Sequence, residues 1–293
     1  MDDAPILARL AASELRRRAD TALARLAACT LCARRCGADR IGGIHRATCR
    51  TGARAAVASW GGVEGDPLLE GGADILFAGC NLRCLACSTW AASWDGAGDA
   101  VDADGLADIL LAAQDQGRRM VVLSSPSHVP AQILDALCTV VARGFRLKLA
   151  WATGLYDSLD TLALLDGVID LYIADFKHGD GAAGRFCTGV ADYPDVAAQA
   201  VAEMHRQVGP LRCDAAGRAV AGLLVRHLVL PNDLAGSAAV FARLPPGTAV
   251  QVLESYTPQH RASRAPKLNR RPSADEVAAA RVCAKVAGLR LLG

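Results

Sequence analysis

The sequence predicts an α/β fold, a partial (β/α)6 barrel of the TIM type preceded by an irregular Cys-rich extension. Three observations carry this. From residue 74 onward, short apolar runs alternate with stretches of helical periodicity about six times. The apolar runs are near-continuous, as in parallel strands buried on both faces. Polar residues recur just after the runs, at the strand ends where sites in such barrels gather.

The elements follow in order. Residues 1–28, rich in Ala, Leu and Arg, read as an amphipathic packing helix and lack the basic-then-apolar order of a secretory signal. Residues 29–73 hold many Gly, Arg and Cys with no sustained period and form the extension. Residues 74–293 form the barrel. Residues 74–79 are its first strand, followed by a Gly/Asp-rich loop to about residue 104. Leu106, Ile109, Leu110 and Ala113 then repeat at helical spacing, with Gly117 as the expected C-terminal cap. Strands are expected at 120–124, 147–151, 169–176, 223–230 and 249–253. Helices are expected at 132–143 (closed by Gly144), 158–165, 193–208, 236–244 and 273–287, the last opened by a capping box of Ser273 and Glu276.

Composition narrows the function. A chain of 293 residues, 52% hydrophobic, has ample material for a core, and a net charge of +2 argues against salt-driven nucleic-acid binding. No run of ~20 apolar residues exists to span a membrane. A cytoplasmic location is expected. There, eleven cysteines point to metal ligation rather than disulfides. Seven fall in two groups before residue 90; Cys138 and Cys283 sit on apolar helical patterns and read as core, while Cys187 and Cys213 stay open.

Cys80, Cys84 and Cys87 form C-x3-C-x2-C immediately after the first strand. Three thiolates on one loop can hold three irons of a cubane and leave the fourth open, whereas ferredoxin spacing supplies four. A zinc knuckle would need a distant fourth ligand, since no His or Cys follows at suitable spacing. Here the sequence resembles the radical S-adenosylmethionine superfamily, whose signature is this loop after the first barrel strand. The resemblance implies a [4Fe–4S] cluster whose open iron is chelated by S-adenosyl-L-methionine. Reductive cleavage would give a 5′-deoxyadenosyl radical that abstracts hydrogen from a substrate. The residue before the last cysteine, often aromatic in that superfamily, is Ala86 here.

The stretches Asp74-Ile-Leu-Phe-Ala-Gly-Cys80, Leu171-Tyr-Ile-Ala-Asp-Phe-Lys177, Val225-Arg-His-Leu-Val-Leu-Pro231, Ser125-Pro-Ser-His128 and the cysteine block from Cys29 resemble the branch named for pyruvate formate-lyase activation. That resemblance implies contacts of Asp175 and Lys177 with the methionine or ribose of the cofactor, of Arg226 with its carboxylate, and of Leu228 with adenine through its backbone. Ser124 and Ser127 stand where many members carry Gly-Gly-Glu. Thr153 and Tyr256, at further strand ends, complete the cofactor set, with His260 also near adenine or substrate. The competing readings are a strand-end ion pair for Asp175 and Lys177, a rim charge for Arg226 and loop packing for Tyr256 and His260. Strand alternation turns His227 away, so it is read as structural.

Cys29, Cys32, Cys36 and Cys49 are four thiols in a segment too poor in apolar residues to fold on its own core. They suit a closed tetrahedral zinc site or a fully ligated auxiliary cluster; the knuckle-like spacing favours zinc. Arg34 and Arg35 would offset thiolate charge. Arg261, Arg264, Lys267, Arg270 and Arg271 read as a solvated loop or as a site for an anionic partner. The family resemblance implies flavodoxin or ferredoxin as electron donor. The substrate would be a glycine of a glycyl-radical enzyme, a small molecule or a peptide. A non-catalytic iron–sulfur electron carrier or metal-binding protein is the alternative.

Overall fold

The structure is a computed structural model that describes residues 4–43 and 47–292. Residues 1–3 of the expected first helix, 44–46 of the extension and 293 lie outside the described residues. The first helix is shorter than expected. A 3-10 turn at Ile6–Arg9 precedes α1 (Ala12–Ala24), whose buried Leu15, Ala19 and Ala22 follow helical spacing. The chain continues through β1 (Ala55–Gly62), β2 (Ala73–Phe77), α2 (Trp90–Ser93), β3 (Asp99–Val101), α3 (Ala103–Asp115), β4 (Met120–Ser124), α4 (Pro130–Ala142), β5 (Lys148–Thr153) and α5 (Leu159–Leu165). It ends with β6 (Leu171–Asp175), α6 (Gly181–Thr188), α7 (Tyr193–Val208), β7 (Arg212–Cys213), β8 (Ala219–Leu228), α8 (Ser237–Phe241), β9 (Ala249–Leu253), α9 (Ala274–Val286) and β10 (Arg290–Leu291).

Strands β2, β4, β5, β6, β8, β9 and β10 run parallel in that order. Beyond β2 the sheet continues antiparallel through β1 to β3, and β7 pairs with β8 off the main path. The path runs from β10 at one edge to β3 at the other. This is the partial α/β barrel that the alternating pattern predicts.

Strand alternation divides the core into two layers. Ile75, Phe77, Val121, Leu123, Leu149, Trp151, Tyr172 and Val225 pack outward against the helices. Met120, Val122, Ala150, Leu171, Ile173, Leu224 and Ala249 point inward, with Leu69 and Leu211 packed against them. The same inward rows turn polar towards the C-terminal strand ends, at Ser124, Asp175 and Arg226. The inward apolar cluster thus forms a floor, and the polar row above it forms a mouth.

Apart from the short α2, β3, β7 and β10, two stretches depart from expectation. The extension supplies β1, whose Ala55 and Val57 are buried against the sheet; its Ala, Ser and Gly content hides the strand from propensity. Helix α6 occupies a segment read as loop. Asp180 caps it by accepting from Ala182 N and Ala183 N, and Gly189 closes it at φ 79°. Both cap signals are in the sequence, but Gly181 and Gly184 weaken the helical pattern between them.

Candidate metal centre and cofactor site

The turn after β2 sets the first cysteine. Gly79 has φ 85°, and a Cβ there would collide with the carbonyl of Cys49 and the hydroxyl of Thr51. Only glycine meets both conditions, and it delivers Cys80 at the strand end. The loop that follows is tied down on several sides. Arg83 N and Leu85 N donate to the carbonyls of Thr188 and Cys187, at 3.0 and 2.8 Å, beside the end of α6. Arg261 N donates to Leu85 O at 3.0 Å. Asn81 Nδ2 donates to Tyr156 O at 2.7 Å, and Trp94 Nε1 donates to Cys84 O at 3.1 Å.

The three thiols are half-buried. Burial pushes the Cys84 thiol up to about 12 and raises Cys80 as well. Ligation requires thiolates and so releases protons. Leu82 N donates to Cys80 Sγ at 3.4 Å, and Cys87 Sγ lies 3.0 Å from Ser93 Oγ. Lys177 stands beside this loop. Its burial is overcome by the Asp175 carboxylate and then the Cys84 thiol, which hold its pKa above the ordinary lysine value. Its Nζ lies 3.1 Å from Asp175 Oδ2. Gly154 leaves it room, since a Cβ would sit 3.1 Å from Lys177 Cε and 3.0 Å from Leu82 Cδ1. The donor set fits the group that the loop spacing implies: three soft thiols, a cation alongside, and a polar mouth next to them.

The other expected cofactor residues divide. Ser124 faces inward, its hydroxyl donating to Asp74 Oδ1; burial raises the pKa of Asp74, and that hydrogen bond works against the shift. Arg226 faces inward too, donating to Gln251 Oε1 at 2.9 Å and pairing with Asp66. Asp175 and Arg226 are neighbours in the parallel register. Ser127 and Thr153 point elsewhere. Thr153 lies on the outward row, donates to Asp157 Oδ2 at 2.5 Å, and sits 2.8 Å from Ser127 Oγ; both are buried. Tyr256 is buried and donates to Leu268 O at 2.8 Å. Leu228 joins Leu85, Ala86 and Tyr256 in an apolar cluster under the thiol loop. His227 faces outward between Phe176 O and Ser237 Oγ.

The four N-terminal cysteines line one cavity together with Arg34, Arg40, Asn81 and His128. Among the described residues, no three metal-binding side chains already stand at the spacing of a single ion. The remaining cysteines are scattered: Cys187 is buried near Cys84, Cys213 is exposed, and Cys138 and Cys283 are half-buried on α4 and α9. The basic loop is partly engaged. Arg261 lies over the Trp94 ring at 4.3 Å, Trp90 stacks on His260 at 5.4 Å, and Arg270 bonds Glu276 at 2.7 Å.

Sequence reasoning missed Asp66, Asp74, Gln251 and Arg40. Asp74 carries a signal, a carboxylate inside a buried strand pattern. The other three become visible only through pairings distant along the chain.

No family model matches the chain. An uncharacterized protein of Methanocaldococcus jannaschii is 24% identical over 215 residues, which are 69% of this chain and 59% of that protein. The chain therefore spans under two thirds of that relative. Among solved structures, SuiB of Streptococcus suis bound to precursor peptide SuiA is 12% identical with a TM-score of 0.46, over 73% of this chain and 46% of SuiB. A radical SAM methyltransferase from Sphaerobacter thermophilus is also 12% identical with a TM-score of 0.46, over 75% and 65% of the two chains. Similarity at this level assigns neither an activity nor a substrate. Among the described residues no helix is long and apolar enough to cross a membrane.

Proposed function

We propose that this protein is a radical S-adenosylmethionine enzyme. The observation that carries the reading is the three-thiol loop at the end of β2, beside Lys177 and a mouth of inward polar strand ends, with no fourth protein ligand on the loop. When bound, a [4Fe–4S] cluster supplies the electron that splits the sulfonium bond of S-adenosyl-L-methionine, releasing a 5′-deoxyadenosyl radical that takes hydrogen from the substrate.

The chain's own residues bind and orient. Lys177 offsets thiolate charge next to Cys84. Asp175 and Lys177 meet the methionine or ribose. Arg226 exchanges Asp66 for the methionine carboxylate, one carboxylate for another. The apolar floor and the cluster around Leu85, Leu228 and Tyr256 keep water from the mouth. Cys29, Cys32, Cys36 and Cys49 hold a second metal centre, zinc or another cluster. Free thiols throughout accord with a reducing, cytoplasmic setting. Flavodoxin or ferredoxin would supply the electron. The substrate class is a protein glycine, a peptide or a small molecule, and an oxidoreductase of the glycyl-radical-activating kind is one form of this reading.

Anaerobic reconstitution with iron and sulfide tests it. About four irons should load at the loop, and adding S-adenosyl-L-methionine should change the electron paramagnetic resonance spectrum of the reduced cluster. Cys84→Ala should lose that spectrum. A loaded cluster indifferent to S-adenosyl-L-methionine would favour a plain electron carrier.

A further inference from the structure

Arg40 poses a problem of charge. It is 1% exposed, the second-largest fully buried side chain. Its guanidinium donates to the carbonyls of Thr51 at 2.8 Å, His128 at 2.6 Å and Gly52 at 3.0 Å, and to Cys29 Sγ at 3.8 Å. Among the described residues no carboxylate pairs with it. A cation removed from water costs several kcal/mol unless an anion compensates; carbonyl dipoles do so only in part. Among the described residues the candidate anion within reach is the thiol cavity. Four thiolates on a divalent ion leave two net negative charges, which Arg40 and the neighbouring Arg34 neutralise.

The local backbone suits such an ion. Arg35 N donates to Cys32 O and Arg50 N to Ala47 O, closing two tight turns whose last residues have φ 41° and 57°. These two short turns carry Cys32 and Cys49, which line the same cavity. The free space between them is about 10 Å³, roughly that of one water. A single ion asks less rearrangement of this space than an eight-atom cubane does.

The same cavity wall supports the cluster loop. Asn81 is part of it, and its carbonyl accepts from Arg34 Nε at 2.5 Å. Arg83 donates to Thr48 O. His128 Nε2 lies 2.8 Å from Ala78 O, and the Cys49 carbonyl packs on Gly79. Drawing the four sulfurs onto an ion therefore fixes the backbone on both sides of Cys80.

We infer that Cys29, Cys32, Cys36 and Cys49 bind one zinc-class divalent ion, charge-balanced by buried Arg40, and that this ion positions the loop carrying Cys80, Cys84 and Cys87. The positioning half rests on the reading of that loop as a cluster site; the ion itself does not. The test is metal analysis of the full chain with Cys80, Cys84 and Cys87 all changed to Ala, purified and then offered iron and sulfide anaerobically. The expected result is about one zinc per chain with no iron. Cobalt(II) exchanged into the wild-type chain should give the intense visible bands of a tetrahedral tetrathiolate, whether or not the triple variant folds well. Iron with sulfide in the triple variant, or no metal with no cobalt bands, overturns the proposal. For positioning, Cys36→Ser changes the exposed ligand. It should lose the zinc, load iron at Cys80, Cys84 and Cys87 at least several-fold less, and expose residues 78–88 to protease. Zinc loss with wild-type loading and protection overturns the positioning role. Failure of the wild-type chain to respond to S-adenosyl-L-methionine would sink the enzymatic reading while leaving the zinc count intact.

Discussion

Gly79 joins the two cysteine groups through a single missing methyl. Its φ of 85° belongs to the left-handed region, and its Cα packs on the Cys49 carbonyl. Gly79→Ala should destabilise the fold by at least ~1–2 kcal/mol from the backbone conformation alone, with the collision added, as read in denaturant unfolding. Unchanged stability would contradict the close packing of the two centres. At this scale the sequence was partly legible. The seven clustered cysteines, Ser124, Asp175, Lys177 and Arg226 are readable from spacing, alternation and family resemblance; Ser124, Asp175 and Arg226 fall on the inward rows, and Cys29, Cys32, Cys36 and Cys49 line one cavity. Asp66 and Gln251, which hold Arg226, are not, because they come from the extension and from β9. Ser127 and Thr153 look like site residues because they follow strands. Yet Thr153 falls on the outward side of the alternation, where Asp157 takes its hydroxyl.

Among the elements, α9 shows sequence signal and structure in register. Ser273 Oγ accepts from Glu276 N, and the Glu276 carboxylate accepts from Ser273 N at 2.7 Å. Ser273→Ala should cost about 1 kcal/mol. The Arg270 guanidinium, and then the Ser273 N–H, hold the Glu276 carboxyl down at about 2. A depressed folded pKa stabilises above the ordinary value of 4.5 and fades as pH falls from there towards about 2. Exposure keeps this contribution small. Thermal melts of Glu276→Gln and wild type should therefore differ at pH ~6 and converge at pH ~2; a difference that persists at low pH would contradict the pairing. Helices with long apolar stripes closed by a glycine at positive φ, such as α3, α4 and α7 with Gly117, Gly144 and Gly209, are equally legible. The short β3, β7 and β10 are not, since two or three residues carry no period and exist only because a neighbouring strand pairs them.

As a whole molecule, the chain is an open, mostly parallel sheet with helices on its outer side and a Cys-rich extension packed against one rim. The alternation of apolar runs and helical stripes conveys this architecture well, because each parallel strand is buried on both faces. The extension is the part that periodicity cannot describe, since buried Arg40, tight turns and four thiols stand in for an apolar core. The proposed function requires that the C-x3-C-x2-C loop beside Lys177 support reductive cleavage of S-adenosyl-L-methionine. The most direct test is 5′-deoxyadenosine formation by the reconstituted protein with S-adenosyl-L-methionine and a strong reductant. The wild-type chain should give 5′-deoxyadenosine and methionine, and Cys84→Ala none above background. A fully iron-loaded wild-type protein that forms neither product, with or without candidate substrates, would contradict it.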